Sequence, residues 1–202
     1  MKQGLGVKLM LIAAAAAVLL AGAVLLSARL RPHVYVGDLL ATPLPAYGFS
    51  LTGSDQKAYH LSDLRGRLVL LFFGYTSCPD ECPTTTAILE QVLDQLGSRA
   101  GEVQVVMITV DPQKDTPQVL QAYFAKFGGR ILGLTGDLAA ISATARQYGV
   151  FYQKQTAADG SVSIQHTLLL ELIDRQGNIR LTYPYNTPAE SITADVAYLL
   201  NQ

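Results

Sequence analysis

The sequence has no surplus of charge: fifteen lysines and arginines stand against sixteen aspartates and glutamates, for a formal net charge of −1. Without a basic excess there is no electrostatic footprint for nucleic acid, and that class of partner is excluded. The chain is equally poor in metal-binding side chains, with two cysteines and three histidines in 202 residues. A four-ligand structural zinc site would need both cysteines and two of three scattered histidines, which is not how such sites are grouped. Internal repeats and low-complexity tracts are absent too, so nothing suggests an array or a disordered tail. What remains is a chain in which half the residues are apolar, enough for one ordinary core, and its chemistry must be local.

Part of that apolar content lies in one run. Leu9 to Ala28 (LMLIAAAAAVLLAGAVLLSA) holds about twenty uncharged residues, the length that spans a bilayer. A cleaved signal peptide usually has an apolar stretch of only about 7–15 residues, so length favours an uncleaved anchor. Lys2 and Lys8 compete with Arg29 and Arg31 across the run and leave a weak preference for the N-terminus inside. The organisation expected is therefore an anchor over residues 1–28, a tether over 29–45 rich in proline and without sustained period, and one domain over 46–202.

Within that domain Arg67 to Gly74 (RLVLLFFG) is a continuous apolar run ending in glycine, as in a strand buried on both faces. Ile88, Leu89, Val92, Leu93 and Leu96 then recur at three and four positions, one buried helical face. Val103–Val110 reads as a strand, Asp115-Thr116-Pro117 as a cap, and Val119–Phe127 as a helix. Ile131–Leu134 and Leu138–Tyr148 repeat the alternation. Val150–Lys154, His166–Ile173 and Ile179–Tyr183 read as strands, the last two joined by a turn at Arg175-Gln176-Gly177-Asn178, and a helix closes the chain from about Pro188 to Leu200. The pattern predicts an α/β fold, a mixed sheet covered on both faces.

Both cysteines lie in FFGYTSCPDECPT, residues 72–84, between the first buried strand and the first helix. Placed on that helix, Cys78 and Cys82 share a face one turn apart, with Cα atoms about 6 Å apart, near the upper end of disulfide reach. A helix N-terminus favours thiolates, while Asp80 and Glu81 disfavour a second negative charge and favour a bound cation. A structural disulfide would close a loop too short to stabilise much. Metal binding and redox cycling both stay open. Of the histidines, His33 and His60 have surface readings, and His166 opens the apolar run Thr167–Leu170 at the mouth of a strand.

The cysteine block, Thr109–Pro117 (TVDPQKDTP), Gly133–Gly136 (GLTG) and the downstream His166 together resemble the SCO/SenC family, from about Leu39 to the C-terminus. The resemblance implies a thioredoxin-like mixed sheet flanked by helices, preceded by one N-terminal transmembrane helix. It implies a metallochaperone that helps assemble the Cu(A) centre of cytochrome c oxidase, with Cys78, Cys82 and His166 as ligands of one copper per chain, Cu(I) or Cu(II). Two thiolates and an imidazole make the soft, three-coordinate set that suits Cu(I). The partners implied are oxidase subunit II, a periplasmic copper donor and a thiol reductant. Without an Arg- and Ser-rich import leader the chain resembles a bacterial member, single-pass in the inner membrane with its domain in the periplasm. The alternative is a thiol-disulfide reductase in which Cys78 and Cys82 act as a redox-active pair and keep the Cu(A)-site cysteines of subunit II reduced. Asp111 and Asp115 stand either near the site or as turn former and helix cap.

Overall fold

The computed structural model describes residues 3–29, 33–156 and 162–202, with side chains left aside at 3–9, 24–29 and 162. Two compact units result, residues 1–34 and 35–202. The first consists of helix α1 (Gln3–Arg29). Among the described residues no helix is long and apolar enough to cross a membrane. Leu9 and the stretch from Val24 to Ala28, both ends of the expected span, lie outside the described side chains.

The second unit runs β1 (Asp38–Pro45), β2 (Ser50–Gly53), β3 (Ala58–His60), β4 (Leu68–Gly74), α2 (Glu81–Leu96), β5 (Val103–Thr109), α3 (Pro117–Ala125), β6 (Ile131–Thr135), α4 (Leu138–Gln147), β7 (Tyr152–Thr156), β8 (Val162–His166), β9 (Leu169–Ile173), β10 (Asn178–Pro184) and α5 (Ala189–Leu200). Eight strands form one sheet in the order β1-β10-β9-β4-β5-β6-β2-β3, and β7 and β8 form a separate hairpin. β4 is parallel to β5 from Leu68↔Val103 to Gly74↔Thr109 and antiparallel to β9. The sheet is thus mixed.

Strand β4 is buried at every position, which is why its sequence shows no alternation. Leu70 and Phe72 point into one core with Leu89, Val92 and Leu93 of α2, Phe124 of α3, and Ile192 and Val196 of α5. Val69, Leu71 and Phe73 point into the other with Ile141 and Ala145 of α4. The turn between β9 and β10 closes with Gly177 at φ 87°, a left-handed conformation that glycine adopts without strain.

The expected tether differs. Asp38–Pro45 pairs with β10 as an edge strand, and the compact unit begins at Tyr35. Its positions are mostly exposed, and prolines are tolerated at an edge, so it carries neither period nor apolar run. The entry to β1 is held by Asp195 of α5, fully buried, whose carboxylate accepts from Val36 N–H at 3.1 Å, Gly37 N–H at 3.0 Å and the Tyr183 hydroxyl at 3.3 Å.

Candidate metal centre

The dithiol segment leaves the sheet at Gly74. A Cβ there would meet Cys82 Sγ at 2.9 Å, so only glycine leaves room for the sulfur. Tyr75 to Cys78 make a turn closed by Cys78 N–H donating to Tyr75 O at 3.2 Å, and α2 begins only at Glu81. Cys78 is therefore not on the helix. Proline disfavours helical backbone at the residue before it, and Pro79 excludes Cys78 from α2. The two cysteines converge all the same, because Cys82 lies in the first turn and its N–H donates to Cys78 Sγ at 3.4 Å. The N-cap residue Asp80 makes no side-chain cap, and the sulfur takes one of the amides that a helix start leaves without a partner.

Both cysteines are free and buried. Their protons are unequally held. A hydrogen bond from the Cys82 thiol is the largest cause lowering Cys78, helped by the Cys82 and Asp80 amides and opposed by burial and Glu81, and brings it to about 6. Cys82 is pushed far up, first by that same bond to Cys78 and then by burial. Of the two, Cys78 is the more readily ionised. When protonated, the Cys78 thiol donates to Glu81 Oε2 at 3.2 Å.

The imidazole arrives from the hairpin. His166 is the last residue of β8, not the opening of a strand in the main sheet, and pairs with Tyr152 of β7. Its Nδ1 lies 3.0 Å from Thr167 O; a carbonyl only accepts, so Nδ1 carries the proton and Nε2 presents a lone pair. Nε2 is 3.9 Å from Cys82 Sγ. Two donors about 2.0–2.3 Å from one shared ion stand at close to that separation. Burial lowers the histidine's pKa and keeps it neutral, as a ligand must be. His33 belongs to the first unit, and His60 ends β3, where its N–H donates to Asp63 Oδ2 at 2.8 Å. Among the described residues no group of three or more His, Cys, Asp or Glu side chains is assembled closely enough to hold a metal ion as it stands; Cys82 is the residue common to the two close pairings.

Asp111 and Asp115 serve the loops rather than the sulfurs. Asp115, fully buried, accepts from Thr76 N–H at 3.0 Å, Thr76 Oγ1 at 2.5 Å and Thr109 Oγ1 at 2.6 Å, fastening the dithiol turn to the end of β5. The cap of α3 is Thr116, whose side chain accepts from Val119 N–H. Asp111 Oδ1 faces Lys154 Nζ of β7 at 3.9 Å. The alternation Val162-Ser163-Ile164-Gln165-His166 was the signal for β8, and no sequence pattern marked Tyr75 or the Asp115–Thr76–Thr109 group. An apolar cleft walled by Ile88, Leu168, Leu170, Pro184 and Tyr185 opens on Cys82 and His166.

A mixed sheet with helices on both faces, carrying a dithiol at a strand-to-helix turn with a neutral imidazole beside it, defines a thioredoxin-like domain with a soft-metal or thiol site. The sequence profile of the SCO1/SenC family matches residues 42–201, and the chain belongs to that family. It is 33% identical over 155 residues to SCO1 homolog 1, a mitochondrial protein of Arabidopsis thaliana, covering 76% of this chain and 46% of the relative. It is 32% identical over 145 residues to an SCO2-like protein of Rickettsia felis, covering 70% and 71%. The chain thus spans about half the length of the first of these relatives and under three quarters of the second. The structure of Bradyrhizobium japonicum ScoI with copper bound superposes with a TM-score of 0.72 at 35% identity, covering 77% of this chain and 99% of that one.

Proposed function

We propose that this protein is a copper metallochaperone that carries one copper on Cys78, Cys82 and His166 and helps assemble the Cu(A) centre of cytochrome c oxidase on subunit II. The observation that carries this reading is the 3.9 Å approach of His166 Nε2 to Cys82 Sγ across 84 residues of sequence. A dithiol reductase needs no such neighbour, whereas a thiophilic cuprous ion is held well by two sulfurs and one imidazole. Copper is the cargo. Cys78 supplies the more readily formed thiolate, Cys82 gives up its proton on binding, and Nε2 completes the set while Thr167 O holds the ring's other nitrogen. Family membership and the copper-bound Bradyrhizobium relative support the same assignment.

The domain is proposed to work on the periplasmic side of a bacterial inner membrane, tethered through the apolar run within α1, with a copper donor and a reductant for the cysteines as further partners. The apolar run of residues 9–28 supports the tether.

His166→Ala is expected to weaken Cu(I) binding ten- to a hundredfold, about 1–3 kcal/mol, and to lower oxidase assembly, while both cysteines still exchange with a small disulfide. Competition against a Cu(I) chelator reads the affinity. Wild-type affinity with full oxidase assembly in the variant would sink the chaperone reading.

One observation favours a second activity, the asymmetry of the thiols. The Cys78 thiolate can attack a target disulfide and form a mixed disulfide, releasing the first target thiolate. Cys82, losing its proton to solvent or the leaving sulfur, then displaces the second target thiolate and closes the Cys78–Cys82 disulfide. The target is reduced by two electrons, the pair is oxidised by two, and an external dithiol must restore it.

A further inference from the structure

The proposed donors stand on two structural units, the sulfurs on the turn and helix after β4 and the imidazole on the β7–β8 hairpin. Among the described residues that hairpin shares no ladder with the eight-stranded sheet, so no ladder fixes the distance from imidazole to sulfur, and Thr167 and Leu168 link His166 to β9. One buried side chain touches both units. Tyr75 gives its backbone N–H to Cys82 Sγ at 3.5 Å. Its hydroxyl accepts the N–H of Ile164, two residues before His166, at 3.2 Å. Its ring meets the His166 ring edge-on, with centroids 6.0 Å apart and planes at 80°.

We infer that Tyr75 is a positioning residue which registers His166 against Cys82, its hydroxyl holding the hairpin at the depth the ligand needs and its ring limiting rotation of the imidazole; this rests on the copper site proposed above. The hairpin's other ties reach different parts of the molecule. Tyr152 Oη lies 2.7 Å from Ser142 Oγ of α4, and Lys154 faces Asp111 beyond β5. Ile164 is itself buried in the core on that side. Loss of the Tyr75 hydroxyl therefore leaves the hairpin attached but no longer registered on the dithiol turn. Tyr75→Phe keeps the ring and the backbone amide and removes only the hydroxyl, which besides holding Ile164 also hydrogen-bonds Cys78; the His166→Ala background separates the two effects.

The test compares the full chain as wild type, Tyr75→Phe, His166→Ala and the double variant. Cu(I) affinity is read by chelator competition and nitrogen coordination by electron paramagnetic resonance of the Cu(II) form. Tyr75→Phe is expected to weaken Cu(I) binding roughly three- to tenfold, the range one buried hydrogen bond supplies, and to alter the nitrogen signature. In the His166→Ala background the same change is expected to leave affinity unaltered, because the ligand it positions is gone. Equal losses in both backgrounds would mean that Tyr75 acts through the sulfurs or through stability, and no loss in either would mean that it positions nothing; each overturns the inference. If His166→Ala weakens copper and Tyr75→Phe does not, the copper site stands and only the role of Tyr75 falls. If His166→Ala binds copper as the wild type does, both fall together.

Discussion

At the scale of single residues, the site is a set of unequal protons. Cys78 and Cys82 are alike in sequence context, four apart and both buried, yet one is pulled down to about 6 and the other pushed far up. The difference comes from Pro79, which keeps Cys78 off the helix so that the Cys82 amide and thiol both point at its sulfur. Alkylation by iodoacetamide is therefore expected at Cys78 first, with a rate that rises through about pH 6. Cys82→Ala removes the largest cause of the lowered value, so in that variant the midpoint should move up. A pH–rate profile followed by mass spectrometry checks both. Equal labelling of the two cysteines, or a midpoint unmoved by Cys82→Ala, would contradict this inequality.

Glu171 is a second residue whose surroundings matter more than its type. It sits on β9 with Oε2 unpartnered, and burial raises its pKa to about 7. An unfolded glutamate titrates near 4.3. Between those values the folded state holds a proton that the unfolded state has lost, so stability falls as pH rises through the interval and levels off above about 7. The fall amounts to about 4 kcal/mol if the carboxyl is the only group changing. Urea midpoints at pH 5 and pH 8 should converge in Glu171→Gln relative to the wild type. Parallel pH dependence in the two proteins would show that Glu171 does not set the slope.

At the scale of elements, Asp115 does what neither β4 nor α2 can do alone, since it joins the dithiol turn to the end of β5. Asp115→Ala leaves the Thr76 amide and the Thr109 hydroxyl without an acceptor in a buried place. Loss on the order of 2–4 kcal/mol is expected in denaturant unfolding, and a loss under half a kcal/mol would show that the turn is held elsewhere.

The elements that were legible in sequence are those whose burial is uniform or periodic: β4 as an unbroken apolar run, α2 by its spacing, β5, β6, α4, β10 and α5 by alternation of strand and helix. Those that were not legible are edges. β1 shows mostly exposed positions, β2 and β3 are only four and three residues long, and of β8 only His166 reads as strand, run together with β9 because Thr167 and Leu168, which separate them, break no pattern. The candidate site was legible as residue types. Cys78, Cys82 and His166 were each singled out, but the route by which His166 arrives, on a hairpin outside the main sheet, depends on tertiary contacts made by Tyr75 and Ile164 that leave no local mark.

At the scale of the whole molecule, the boundary of the folded unit matters for any truncation. Residues 35–202 keep β1 and the two amides that Asp195 accepts. Residues 46–202 lose both, bare one edge of β10, and deprive a buried carboxylate of two donors. The shorter fragment is expected to unfold several kcal/mol more easily and to self-associate through the bared edge. The longer one is expected in the soluble fraction, with the full chain sedimenting with membranes. Thermal unfolding of the two fragments and fractionation of all three forms check this. Equal stability of the fragments would remove β1 from the folded unit, and full-length protein in the soluble fraction would remove the anchor.

The separation of 84 positions between Cys82 and His166 also has a meaning in time. A ribosome adding about 5–20 residues per second exposes the two sulfurs roughly 4–17 seconds before the imidazole exists. Over that interval the nascent chain offers thiol chemistry without a three-donor pocket. The donor set proposed above is thus a property of the finished chain, and copper met earlier would encounter two sulfurs without the imidazole.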